Sequence, residues 1–227
     1  MKIDRTEYTI YFAGPLFDHK DLIGNALLAE AIREMSDGKY RCILPQDLEQ
    51  FTDRAVNIRN QDLSYVMQCD LSIFNFDGTE LDSGTVVEFM YAKTLDIPAL
   101  IIRSDFRGSG DQQKDGDQWN LMASFYPRTR VLNFHAMEWY QATLSDLSND
   151  HDVFDVARIF YRRVARQVIR ELDAVMLDTP LLSYEDGQAY QTYRWAVQFP
   201  GGGLDETKII SEIKEIILSK KSKGLLS

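Results

Sequence analysis

Five short apolar runs, each ending in a polar turn and separated by helix-period segments, constrain this chain more than any other feature. The clearest is LSIFNF at 71–76, an almost unbroken apolar stretch of the kind a strand buried on both faces requires. It closes at Asp77-Gly78. YTIYFA at 8–13 is β-branched and aromatic, and stops at Gly14-Pro15. RCIL at 41–44 and PALII at 98–102 read as two more strands, and a fifth falls near 130–132. Between them, 21–35, 57–69 and 83–95 read as helices; the first places Leu22, Ala26, Ala29 and Ile32 at helical spacing. Strand alternating with helix predicts an α/β sandwich on a five-stranded parallel sheet.

After residue 150 the texture changes. Residues 152–177 read as a long amphipathic helix with Val153, Val156, Ala157, Phe160, Val164, Val168 and Leu172 on one side. Arg162, Arg163 and Arg166 look like its solvated face. Residues 178–203 are loop-rich and end in Pro200-Gly-Gly-Gly203, a hinge or loop. Residues 205–220 form a helix with acids early and lysines late, which suits the helix dipole. A short helix is expected over 119–126, after a polar loop at 103–118. The organisation expected is an α/β domain over 1–150 and a helical extension over 151–227 packed on it.

Charge narrows the partners. Lys and Arg number 25 and Asp and Glu 35, a formal net charge of −10. That balance argues against nucleic acid, whose affinity comes largely from basic surface, and against docking on an anionic membrane. A small neutral substrate or a cation fits better. Cys42 and Cys69 are too few for a disulfide scaffold or a zinc cluster, and read as buried reduced thiols. No run approaches the ~18 apolar residues of a membrane span, and the N-terminus lacks a signal-peptide pattern, so a cytoplasmic location is expected. His19, His135 and His151 have no metal-ligand spacing, and G-x-G-x-x-G, P-loop and G-x-S-x-G motifs are missing. No metal and no cofactor is expected.

In parallel α/β sheets, ligands collect at the carboxyl ends of the strands. That directs attention to loops 13–18, 77–85 and 103–120. The second runs from Asp77 through Asp82-Ser83-Gly84-Thr85 into a helix, with Asp82 or Ser83 as its N-cap. Glu88 lies in the second turn among Val87, Phe89, Met90 and Ala92; a carboxylate there needs a partner or a job. Asp62 in mid-helix and Tyr11 in a buried strand are further candidates, since a buried tyrosine hydroxyl needs a hydrogen-bond partner. The plain alternatives are a turn residue (Asp77), a cap (Asp82), solvated helix residues (Asp62, Glu88) and a hydroxyl tied to backbone (Tyr11).

Four segments together resemble the nucleoside 2-deoxyribosyltransferase family. Ile10-Tyr11-Phe12-Ala13-Gly14-Pro15-Leu16-Phe17 is similar to its first strand and sugar-side loop, and Asn60-Gln61-Asp62-Leu63 to its base-binding aspartate motif. The segment from Asp82 to Ala92 resembles its Asp-x-Gly-x-x-x-Glu-x-x-x-Ala signature, and Trp119-Asn120-Leu121-Met122 its Asn-Leu-Met segment. The resemblance covers about 8–135. It implies a flavodoxin-like three-layer sandwich and transfer of 2-deoxyribose between nucleobases. By the same resemblance Glu88 is the nucleophile, oriented by Tyr11. Asp62 and Asp82 contact the nucleobase, Asp82 being the preferred proton donor. Gly14, Pro15, Phe17, Asp77 and Gly84 fall on the substrate loops. Asn120 and Met122 reach the sugar of a neighbouring subunit, which implies a homo-oligomer built from dimers, up to a hexamer, with shared active sites.

The chemistry is coherent. Breaking an N-glycosidic bond develops oxocarbenium character on the sugar and negative charge on the base. A carboxylate can trap the sugar, and a protonated carboxyl can discharge the leaving base. The partners expected are deoxynucleosides and free nucleobases. The loop at 14–18 offers Phe17 and Asp18 but no Ser or Arg for a phosphate, which favours a free nucleoside. An N-glycosidase acting on nucleosides or 5′-nucleotides, and a non-catalytic nucleoside-sensing module, fit the same residues.

Overall fold

The computed structural model describes residues 6–48, 55–107, 117–147 and 150–227. Strands β1 (Tyr8–Ala13), β2 (Tyr40–Ile43), β3 (Leu71–Asn75), β4 (Ala99–Arg103) and β5 (Thr129–Asn133) form one parallel sheet in the order β2-β1-β3-β4-β5. This is the flavodoxin-like order, with its topological switch point between β1 and β3. Within a strand, alternate side chains go to opposite faces. Tyr11, Ala13, Phe74 and Ile101 therefore share one core, and Ile10, Phe12, Ile73, Leu100 and Ile102 the other.

Helices α1 (His19–Met35) and α5 (Val153–Val175) cover the second face, inserting Leu28, Ile32, Val164, Val168 and Leu172. Helices α2 (Ala55–Gln68) and α3 (Ser83–Thr94) cover the first. Over them pack α6 (Gln188–Gln198) and α7 (Ile209–Ser222), which add Tyr193, Val197, Ile213 and Ile217 to the same core. The chain beyond residue 150 thus supplies helices to both faces of the sheet.

Several expectations are corrected. Helix α4 (Ala136–Asp146) was not foreseen; the ring nitrogen Nδ1 of His135 caps it by accepting from the Glu138 amide at 3.2 Å. Helix α6 lies inside 178–203, which the sequence suggested was loop-rich. Its inward side, Ala189, Tyr193, Ala196 and Val197, has helical spacing hidden by polar neighbours. The expected helix over 119–126 is a single 3-10 turn, Leu121–Ala123. Phe125 then takes φ 64°, which no helix continues, and Pro127 follows. On α1 the buried side is Asn25, Leu28, Ala31 and Ile32, while Leu22 is exposed. Val153 is exposed because it is the first residue of α5. Of the polar loop at 103–118, residues 108–116 lie outside the described residues. Both cysteines are free thiols, and burial pushes each up to about 12. Among the described residues no helix is long and apolar enough to cross a membrane.

Candidate active site

Helix α3 starts where it does because of Asp82. Its Oδ2 accepts from the Thr85 amide at 2.7 Å and the Thr85 hydroxyl at 2.8 Å, the N-cap geometry that satisfies an orphan helical N–H. Phe89 and Ala92 then seat α3 on the sheet, with the Phe89 ring edge-on to Phe74 at 5.2 Å. This rotation turns Glu88 toward β1, where the fully buried Tyr11 donates its hydroxyl to Glu88 Oε1 at 2.5 Å.

Burial lifts the Glu88 carboxyl to about 7. The Tyr11 hydrogen bond pulls it down, while the Asp62 and Asp82 carboxylates add to the rise. Tyr11 is itself held well above its ordinary value, chiefly by burial and then by the charge of Glu88. Asp62 projects from the middle of α2 and is raised to about 6 by burial; its Oδ1 is buried and accepts no hydrogen bond. Tyr11, Glu88, Asp62 and Asp82 are therefore brought together electrostatically beside the switch point. Among the described residues no group of His, Cys, Asp and Glu is arranged to hold a metal ion.

The remaining candidates sort by position. Gly14 leaves β1 pressed against β3: a Cβ there would lie 2.8 Å from Asn75 Cβ, so only glycine fits. The carbonyl of the next residue, Pro15, accepts from the buried Asn25 side chain at 3.0 Å. Phe17 projects into solvent at 81% exposure. Asp18 occupies the N-terminus of α1, accepting from the Lys20 and Asp21 amides at 2.7 and 3.1 Å. Those bonds, that from Asp21 first, hold its carboxyl below the usual value. Asp77 spends both oxygens on the loop after β4: Oδ1 accepts from the Ser104 and Asp105 amides, and Oδ2 from the Ser104 hydroxyl. Gly84 sits in the first turn of α3, where a Cβ would come within 3.2 Å of Asp82 Oδ2.

Asn120 and Met122 are not part of this cluster. They line a cleft of about 740 Å³ on the opposite flank of α3, bounded by Ser83, Val86, Met90 and Tyr126, and Met122 is 77% exposed. The perturbed carboxylate of Glu88 lies on the other side of that helix, facing Tyr11. Sequence reasoning missed Asn25 and Arg59, and it met Asn60 and Tyr91 only as members of the family-like motifs; Arg59, Asn60 and Tyr91 join α2 and α3 to α6 and the loop that follows it. No local pattern marks these contacts, because the partners are distant in the chain.

No curated protein sequence matches this chain. Among solved structures it is similar to a conserved protein from Enterococcus faecalis V583, at 28% identity and TM-score 0.48, covering 56% of this chain and 92% of that one. It is also similar to a 2-desoxiribosyltransferase from Leishmania mexicana, at 26% identity and TM-score 0.44, covering 61% and 97%. A third similarity is to a 2-deoxyribosyltransferase from Bacillus psychrosaccharolyticus, at 16% identity and TM-score 0.43, covering 65% and 95%. The model of the family described as nucleoside 2-deoxyribosyltransferase matches residues 10–122, a span from Ile10 in β1 to Met122 that includes Tyr11, Asp62, Asp82 and Glu88. Through this segment, the chain belongs to the nucleoside 2-deoxyribosyltransferase family.

Proposed function

We propose that the protein transfers 2-deoxyribose from one nucleobase to another through a covalent glycosyl ester on Glu88. The observation that carries this reading is the 2.5 Å hydrogen bond from Tyr11 to a carboxylate that burial has lifted to about 7. A carboxylate so placed is a poor structural element and a good nucleophile: it is desolvated, and one donor fixes the direction of its free lone pairs.

In the first step Glu88 attacks C1′ as the C–N bond breaks. The bonding electrons leave with the base nitrogen, which takes a proton from a carboxylic acid. In the second step a new base attacks C1′, returns its proton to that carboxyl, and releases Glu88. Two displacements give net retention. We assign the proton to Asp62 in preference to Asp82. Asp62 is raised to about 6 by burial and has an uncommitted buried oxygen, whereas Asp82 Oδ2 already receives the two Thr85 donors. Near neutral pH the carboxyls of Asp62 and Glu88 titrate in the same range; the productive form has the proton on Asp62 and the charge on Glu88. The Tyr11 hydrogen bond favours that form.

The substrate is a free nucleoside. A helix N-terminus at the sugar loop is where a 5′-phosphate would bind, and Asp18 already fills that of α1 with its own carboxylate. Gly14, Pro15 and Phe17 flank the sugar, with Gly84 beside the base. Asn120 and Met122 complete the site of a neighbouring copy in a homo-oligomer. Exposed Leu121, Met122 and Phe125, together with exposed Val87 and Met90 of α3, give that contact its apolar surface. The catalytic unit is 1–150, with 151–227 a helical extension packed on it.

The test supplies one 2-deoxynucleoside and a different free base. A swapped nucleoside is expected, with Glu88→Ala abolishing it. Release of free deoxyribose whatever base is added would establish a hydrolase instead.

A further inference from the structure

Helices α6 and α7 lie beyond the family match and pack on each other, joined by a loop that carries Pro200–Gly203. Two sets of contacts tie this helical hairpin to the helices that carry the carboxylates.

At α2, Arg59 Nη1 donates to the Pro200 carbonyl at 3.1 Å and Nη2 to the Gly201 carbonyl at 2.7 Å. Asn60 Nδ2 donates to the Gly202 carbonyl at 2.9 Å, while Arg59 Nη2 and Nε hold Asn60 Oδ1 at 2.7 and 3.2 Å. Successive carbonyls of the loop thus end on two adjacent side chains of α2. The loop can present them because Gly201, Gly202 and Gly203 have φ of 61°, 67° and 77°. Gly202 is constrained further: a Cβ there would lie 2.4 Å from Arg59 Nη2 and 2.7 Å from Val56 Cγ2. At α3, the Tyr91 hydroxyl donates to the Ala196 carbonyl at 3.0 Å, and its ring meets Phe199 at 5.9 Å.

Helical spacing gives these contacts their meaning. Arg59 is three residues before Asp62, and Tyr91 three after Glu88, so each grip lies on its carboxylate's flank, one turn away. Ahead of Asp62 the only buried side chain of α2 is Asn60; Leu63, Val66 and Met67 all follow it. The half of α2 that leads into Asp62 therefore takes its buried anchor from the hairpin loop rather than from the sheet.

We propose that the α6–α7 hairpin is a positioning element: by clamping α2 at Arg59 and Asn60 and α3 at Tyr91, it sets the separation of Asp62 from Glu88 and so fixes the leaving base over the sugar. This rests on the roles given above to Asp62 and Glu88. Arg59, Asn60 and Gly202 are positioning residues that act through Asp62. A small misplacement of an acid costs much of its catalytic effect, and the cost falls on the step that needs the proton.

The experiment measures single-turnover base departure with two 2-deoxynucleosides, one with an ordinary base and one whose base carries an electron-withdrawing group and leaves without help. Arg59→Ala and Gly202→Ala break the clamp from opposite sides, and Arg59→Lys retains part of it. The expected result is a loss about tenfold larger for the ordinary base than for the activated one in both alanine variants, and an intermediate ratio for Arg59→Lys. Because the readout is a ratio between substrates, partial unfolding cancels from it. Asp62→Asn is measured alongside. If Asp62→Asn discriminates between the substrates and the clamp variants slow both alike, the positioning role is wrong and the assignment of Asp62 stands. If Asp62→Asn itself slows both alike, the proton-donor assignment fails and the clamp's role goes with it.

Discussion

The hydroxyl of Tyr11 and the carboxylate of Glu88 come from β1 and α3, 77 residues apart, and meet in a 2.5 Å hydrogen bond. The parallel crossover puts them there. β1 and β3 are neighbours at the switch point, and α3 returns over the sheet face that Tyr11 occupies. Removing the hydroxyl while keeping the ring separates its electrostatic effect from its packing. Tyr11→Phe loses the bond that lowers Glu88, so the carboxyl rises above about 7. Activity at neutral pH is expected to fall by about 10–100-fold, with the loss narrowing as pH rises. A pH–rate profile checks this; an alkaline-side profile parallel to that of the wild type contradicts it.

Glu88 also predicts a pH-dependent stability. Its folded value, about 7, lies above the ordinary 4.5, so the folded state disfavours the charge. Below pH 4.5 the group is protonated folded or unfolded and costs nothing. Between 4.5 and 7 the unfolded chain ionises first and stability declines; above 7 the full penalty, about 3 kcal/mol at most, is present. Glu88→Gln still accepts from Tyr11 but never ionises. Its melting temperature should match the wild type in acid and exceed it at pH 8. A variant less stable than the wild type at pH 8 would count against the buried charge.

Asp82 has a structural task that can be isolated. Asp82→Ala removes the α3 cap and should cost about 1 kcal/mol in chemical denaturation, whereas Asp82→Asn keeps an acceptor and should stay near the wild type. With Asp62 as donor, Asp82→Asn slows ordinary and activated leaving bases equally. Selective slowing of the ordinary base would move the proton to Asp82.

The proposed sharing of active sites predicts complementation. Glu88→Ala lacks the proposed nucleophile, and Met122→Lys puts a charge on the exposed apolar surface beside the α3 cleft. Each variant alone should be nearly inactive. Mixed and allowed to exchange subunits, they should regain activity, because some sites then combine an intact Glu88 with an intact Met122. Mixtures that stay inactive while light scattering shows mixed oligomers would rule out the contribution from a neighbour.

The sheet was legible in the sequence for a physical reason. The inner strands β3 and β4 are short and buried on both faces, so LSIFNF and PALII announce themselves by apolarity alone, and the structure moves their boundaries by a residue. The carboxylates were legible because the helix that carries Glu88 opens with a recognisable cap and a glycine. What stayed hidden is what depends on distant pairing. Arg59 looks like any exposed helical arginine until Pro200 and Gly201, more than a hundred residues away, supply the carbonyls it holds. Helix α6 was hidden because the exposed Trp195 breaks the outward run of polar residues that marks an amphipathic helix. The helix expected over 119–126 failed on backbone grounds, at the left-handed Phe125.

The placement of α5 on one face of the sheet and of α6 and α7 over the other has a consequence for anyone shortening this protein. A fragment cut at the end of the family match would uncover Leu100 and Ile102 of β4 and the α5-facing side of α1 on one side, and the packed surfaces of α2 and α3 on the other. Such a fragment would precipitate before it could be assayed, and its silence would say nothing about catalysis. Probing the role of the tail therefore calls for point substitutions at its seams, with the chain kept whole.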